Sequence, residues 1–278
     1  MIVPPIIDMR LRPPVKAWTQ GSVFRTAMHY PRHNLTFKGA RSAWLEDIDL
    51  LFEEMDSAGI RYGVAMGRAS SGAGNLGGVA NKDIVDVLET YPDRFLGFLG
   101  VDLDNIQASL DEIRELANAT GVKGISIEPG SAKVPRWSDD RSLDPVYELA
   151  LELNLPVSIS LSGLLSALAG HPITWSSPVS IQTVAQRYPE LKIVVSHAAW
   201  PYADEMVVVA LACPNIYVSP DLYASTKGMI CCDSYVKGAN MFLEDRTLFG
   251  TAYPVKDIQD SLRDFLGLGW REDILHKV

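Results

Sequence analysis

The sequence is poor in the residues that build metal and disulfide frameworks, with three cysteines and five histidines among 278 residues. Cys213, Cys231 and Cys232 are odd in number and lack zinc-type spacing, which argues against a disulfide scaffold or a zinc knuckle. They are expected to be free thiols in a reducing compartment, the cytoplasm. No window approaches the roughly 18 consecutive apolar residues that a membrane span needs. The N-terminus, MIVPPIIDMRLRPP, lacks the cationic start and long apolar stretch of a signal peptide. Positive charge is in deficit, at 25 Lys and Arg against 34 Asp and Glu, a net charge of -9. An acidic surface of this kind suits neither a nucleic acid nor a membrane as partner. Any anionic substrate therefore needs cations gathered locally at its site. No G-x-G-x-x-G follows the first apolar run, and no G-x-S-x-G elbow is present, so neither a dinucleotide fold nor that kind of serine nucleophile is indicated.

The chain does have an unbroken alternation of short apolar runs and amphipathic segments, with 47% hydrophobic residues overall. The strand-like runs are Val3–Asp8, Tyr62–Met66, Phe95–Val101, Val122–Ile127, Pro156–Leu161, Lys192–Ser196, Asn215–Ser219 and Thr247–Thr251. Helical spacing marks Trp44–Ala58, where Leu45, Ile48, Leu51, Phe52 and Met55 recur. It also marks Asn81–Tyr91, Ile106–Ala119, Leu143–Leu153, Ser180–Arg187, Ala203–Ala212, Ser234–Leu243 and Val255–Leu266, with a short helix expected in the tail Trp270–Val278. Strands without polar alternation, separated by helices, imply parallel strands joined by right-handed crossovers. The expectation is an α/β protein with one (β/α)8 TIM barrel spanning residues 1–278 as a single domain. Two loops stand out: Arg10 to Lys38, which holds His29 and His33, and the glycine-rich Gly67–Gly78. A long loop of this kind is a candidate lid.

Barrels of this type place their chemistry at the C-terminal ends of the strands. Those ends read Asp8-Met9-Arg10-Leu11-Arg12, Gly67-Arg68, Glu128, Ser158 and Ser160, Ser196-His197, Asp221 with Tyr223, and Thr251-Ala252-Tyr253-Pro254. Arg10 and Arg12 point to one side of an extended segment, where they can clamp a carboxylate or pair with an internal acid. His197 is the one histidine at a strand end, a candidate general acid or base. Asp221 either orients it, acts as a base itself or serves as a turn residue. Arg68, Ser158 and Ser160 are candidate substrate contacts. Trp200, Tyr223 and Tyr253 are candidate pocket walls.

Three of these segments resemble the amidohydrolase superfamily, in its amidohydrolase-related branch that includes aminocarboxymuconate semialdehyde decarboxylase-like enzymes and lactone hydrolases. Ile6-Ile7-Asp8-Met9-Arg10-Leu11-Arg12 is similar to the family's I-D-x-H-x-H start. Ser196-His197-Ala198-Ala199-Trp200-Pro201 resembles its strand-six segment, and Gly250-Thr251-Ala252-Tyr253-Pro254 its strand-eight end. By this resemblance the family's metal ligands are replaced: the first histidine pair by Arg10 and Arg12, the strand-five histidine by Ser160 or Ser158, and the strand-eight aspartate by Ala252. His197 alone is kept. No metal and no cofactor is therefore expected, since guanidinium groups are protonated and have no lone pair to donate.

The resemblance implies a hydrolase of a lactone or C–N/C–O bond, here metal-independent, acting on a small carboxylated molecule held by Arg10 and Arg12. His197 would transfer the proton. A decarboxylase-type lyase or an isomerase on the same scaffold is the alternative, and a silent acid-binding barrel is the third reading. Apolar residues near the C-terminal tail leave room for a homodimer.

Overall fold

A computed structural model describes residues 5–21, 23–24, 39–68 and 78–278. His29, His33 and most of the glycine-rich loop lie outside the described residues. Seven parallel strands follow one another around a single sheet in chain order: β1 (Ile6–Asp8), β2 (Ile60–Met66), β3 (Phe95–Gly100), β4 (Val122–Ile127), β5 (Val157–Ser162), β6 (Ile193–Trp200) and β7 (Ile216–Ser219). Sequential order with parallel pairing is the signature of a TIM barrel rather than of a doubly wound sheet, which reverses its order midway.

The expected eighth strand, Thr247–Thr251, closes the barrel without forming a full ladder. Val218 of β7 donates to Arg246 O at 2.7 Å and accepts from Leu248 N at 2.9 Å. On the other side Met9 N donates to Phe249 O at 3.0 Å. Single-residue parallel bridges join Val218 to Thr247 and Leu11 to Tyr253.

Strand period decides what faces the lumen. On β5, Val157, Ile159 and Leu161 enter the large core shared with the helices. Ser158, Ser160 and Ser162 alternate with them and turn the other way, towards the lumen. A small separate cluster of Val64, Met66 and Phe98 fills the lumen beside β2 and β3. One side of the barrel interior is thus apolar and the other is lined with hydroxyls.

Local differences from the sequence reading have local causes. Trp44–Ala58 is two helices, Arg41–Leu45 and Ile48–Ser57. Glu46 is left-handed (φ 50°), and the Asp47 side chain caps the second helix by accepting from Leu50 N at 3.0 Å. The segment after β5 holds a helix, Gly163–Leu168, capped by Ser162. The helix Asp233–Gly238 runs into a π-helical turn, Ala239–Leu243. The tail after Trp270 forms turns and no helix. Among the described residues no helix is long and apolar enough to cross a membrane.

Candidate active site

Asp8, the last residue of β1, fastens the first strand to the closing segment. Its Oδ1 accepts from Arg10 N at 2.9 Å and Thr251 N at 3.0 Å, and its Oδ2 from Thr251 Oγ1 at 2.6 Å. All three donors are neutral. Burial therefore prevails and raises the carboxyl to about 6, although these hydrogen bonds oppose it.

Beyond Asp8 the chain delivers two guanidiniums into the mouth, and β2 delivers a third. Glu128, at the end of β4, is the hub. Arg10 Nη2 meets its Oε1 at 3.1 Å, while Arg68 grips both oxygens, Nε to Oε2 at 2.9 Å and Nη2 to Oε1 at 3.0 Å. Burial pushes the Glu128 carboxyl up, but Arg68 and Arg10 outweigh it and hold it below the usual range. Among the described residues Arg12 has no carboxylate partner. Its Nη1 donates to the carbonyls of Tyr253 at 3.1 Å and Ala252 at 3.4 Å. Burial, with repulsion from Arg10 and Arg68, draws this guanidinium well below its normal value. Arg12 and Arg68 also line a recess with Trp18, Val23, Met66 and Val79.

His197 lies within the last half of β6, and Asp221 follows β7 by two residues. His197, Ala198 and Ala199 are all left-handed (φ 62°, 47° and 57°), as is Asp221 (φ 51°). Such conformations cost non-glycine residues energy and concentrate at functional sites. Asp221 Oδ2 accepts from the backbone N–H of His197 at 3.1 Å, and Oδ1 accepts from Ser219 Oγ. Burial raises the Asp221 carboxyl, and Arg10 and these hydrogen bonds oppose the rise. The imidazole Nδ1 lies 3.4 Å from Asp221 Oδ2 without hydrogen-bonding geometry, and among the described residues no atom partners it. The contact would be an ion pair only if the ring were protonated. Burial, followed by Arg10, Arg12 and Arg68, pushes His197 well below its usual value, so the ring is neutral. The hydrogen bond between Asp221 and His197 thus runs through the main chain.

The other residues singled out in the sequence divide between two regions. Ser160 Oγ is buried and has no partner among the described residues, and Ser158 Oγ shares a 2.8 Å hydrogen bond with Ser196 Oγ. Tyr223 packs edge-on to the His197 ring, stacks on Trp200 (4.5 Å, 10°) and bonds Ser162 Oγ at 2.6 Å. Trp200 Nε1 is anchored on Ile230 O at 3.0 Å. Tyr253 is a correction. Its hydroxyl meets Ser42 Oγ at 2.8 Å and its ring packs against Phe24, so it belongs to the helix-side core and is no pocket wall. What it contributes to the site is its carbonyl.

Sequence reasoning placed Glu128 at a strand end but treated it only as a structural partner. The available signal was an acid closing an otherwise apolar strand in a chain whose strand ends hold three arginines. Ser126 was missed altogether, because one serine within VKGISI carries no periodic signal.

Among the described residues the donor set does not fit a catalytic divalent ion. Two of the positions that correspond to family ligands hold Arg10 and Arg12, whose N–H groups donate to Glu128 and to backbone carbonyls. Ala252 has no ligand atom. Among the described residues no group of three or more His, Cys, Asp or Glu side chains is placed to hold a metal.

Comparison with known proteins places this architecture. The amidohydrolase family model matches residues 28–278. A TIM-barrel protein from Bordetella bronchiseptica superposes with a TM-score of 0.87 at 35% identity, over 99% of this chain and 95% of that one. Two decarboxylases share the fold at lower identity. A dihydroxybenzoic acid decarboxylase from Polaromonas sp. JS666, solved with manganese and 2-nitroresorcinol, gives a TM-score of 0.68 at 17% identity, over 99% of this chain and 94% of that one. A 5-carboxyvanillate decarboxylase from Novosphingobium aromaticivorans, also with manganese, gives 0.61 at 18% identity, over 98% and 93%. The chain belongs to the amidohydrolase-2 family of enzymes.

Proposed function

We propose that this protein is a metal-independent lyase of the amidohydrolase type, acting on a small carboxylated molecule. The observation that carries the reading is the state of Arg10. The residue is 1% exposed, yet among the described residues Nε and Nη1 have no acceptor. Buried donors without acceptors are costly, and an oxyanion is the ligand that satisfies them. Nε and Nη1 do not share an edge of the guanidinium, so they take two acceptor atoms. Arg12 adds a guanidinium that pairs with no carboxylate among the described residues.

A neutral imidazole beside fixed guanidiniums suits proton abstraction from carbon. The His197 imidazole takes the proton next to the bound carboxylate, the electron pair passes to the oxygens held by the arginines, and its return expels a leaving group from the adjacent carbon, which departs with the imidazolium's proton. Those donors become most effective as negative charge develops on the oxygens. Decarboxylation uses the same electron flow with carbon dioxide leaving in place of the proton. There the arginines must hold the oxygen that gains charge, because holding the departing carboxylate would stabilise the ground state. The decarboxylases among the structural relatives favour this lyase reading over hydrolysis of a lactone or C–N/C–O bond.

The test has two parts. Protein purified without chelator is assayed for bound zinc, manganese and iron. It is then incubated with acetate, glycolate and larger carboxylates in deuterated water, and exchange of the α-protons is followed by NMR. Exchange that survives chelator, disappears in His197→Ala and loses its substrate in Arg10→Ala is expected. A stoichiometric metal whose removal abolishes activity would overturn metal independence. Hydrolysis products without exchange or decarboxylation would overturn the lyase reading.

A further inference from the structure

Nine buried side-chain nitrogen and oxygen atoms have no hydrogen-bond partner among the described residues, and five of them belong to one region. They are Arg10 Nε and Nη1, His197 Nδ1, Ser160 Oγ and Ser126 Oγ. The two serines lie below the charged groups, on the lumen face. On β4 a Cβ at Gly124 would come within 2.4 Å of the Phe98 ring, so this face of the strand looks into the barrel. Glu128, four residues on, reaches Arg10 and Arg68 from the same face. Ser126 lies midway between them and shares that direction. On β5, Ser158 bonds Ser196, Ser162 bonds Tyr223, and Ser160 between them has no partner. Register places Ser126 opposite Ser158, and Ser160 opposite Ser196, the neighbour of His197.

We propose that Ser126 and Ser160 form a hydroxyl-lined subsite beneath the guanidiniums, which selects a monocarboxylate carrying a neutral hydroxyl or carbonyl oxygen over a plain acid or a dicarboxylate. This rests on the anion-binding reading of Arg10 given above. Charge decides against a second carboxylate. Ser126 and Ser160 are neutral, and two of the nearby guanidiniums, Arg10 and Arg68, are already shared with Glu128. A second carboxylate seated against the two hydroxyls would be buried without a counter-charge of its own. A serine hydroxyl both donates and accepts, and so matches a neutral oxygen of either kind.

The experiment measures binding of acetate, glycolate and malonate to the full chain by NMR titration. It compares the unaltered protein with Ser126→Ala, Ser160→Ala and the double variant. Neither substitution removes a hydrogen bond present in the free protein, and near-UV circular dichroism checks that the fold is kept. The expected order for the unaltered protein is glycolate over acetate, with malonate weakest. Each alanine should weaken glycolate by about two- to tenfold, the effect of one hydrogen bond, and leave acetate unchanged. A glycolate preference that persists in the double variant overturns the subsite, as does equal binding of glycolate and acetate or a preference for malonate. In all of those outcomes acetate binding that depends on Arg10 leaves the anion reading standing. Failure of all three acids to bind the unaltered protein overturns both.

Discussion

Replacing Glu128 by glutamine tests the centre of the site most directly. Glu128 is the carboxylate that Arg10 and Arg68 share, through three contacts between 2.9 and 3.1 Å. All three side chains are no more than 7% exposed, so water does little to screen what is left behind. Glutamine keeps the size but removes the charge, and its amide N–H₂ would face guanidinium N–H groups. Breaking a buried pair from one side costs about 3–5 kcal/mol, because the stranded charge remains buried. At roughly 2 °C per kcal/mol for a chain of this size, the melting temperature should fall by about 6–10 °C. Calorimetry at pH 7 measures this. Acetate affinity should move the opposite way and tighten, because both arginines then lack their internal partner. A fall of less than about 2 °C with no change in acetate binding would refute the idea that Glu128 is the counter-charge of the cluster.

Two other predictions probe the supporting contacts. In Gly250→Ala the new Cβ would sit 2.7 Å from Asp221 Oδ1, so the carboxylate must shift from the backbone of His197. Destabilisation of about 1–3 kcal/mol is expected, together with slowed proton exchange and retained acetate binding; unchanged exchange kinetics would show that Asp221 does not position His197. Asp8 has its carboxyl raised from 3.8 to about 6 by burial, so the folded protein holds that proton more tightly than the unfolded chain. Its contribution is complete below pH 4 and is lost as pH rises through 6, by at most about 3 kcal/mol. Urea titrations of Asp8→Asn across this range should show that loss removed, and a slope identical to that of the unaltered protein would contradict it.

The barrel itself was legible because its signals are local. Each strand is a short apolar run and each helix an amphipathic stretch, and both periods can be read within about ten residues. Strand-end position then singled out Arg10, Arg12, Arg68, His197 and Asp221, which the structure gathers at one mouth. Where a local rule was overridden, the reading failed. A left-handed Glu46 and the Asp47 cap divide a continuous amphipathic pattern into two helices. The eighth apolar run closes the barrel through isolated bridges. Tyr253 was read as pocket-facing from its strand-end position, yet its side chain is drawn outwards by Ser42 and Phe24.

The sequence by itself determined the architecture and the kind of charge placed at its mouth, since periodicity and residue identity are properties of neighbours along the chain. Only the tertiary structure decided how those charges are partnered. Glu128 lies 118 residues from Arg10 and 60 from Arg68, and it meets both because closure of the barrel turns distant strand ends towards one axis. The same closure leaves Arg10, Ser126, Ser160 and His197 with polar atoms that no group among the described residues satisfies. An unfilled hydrogen bond becomes visible only once every surrounding atom has a place, so the candidate binding site came from the fold and not from the residue pattern.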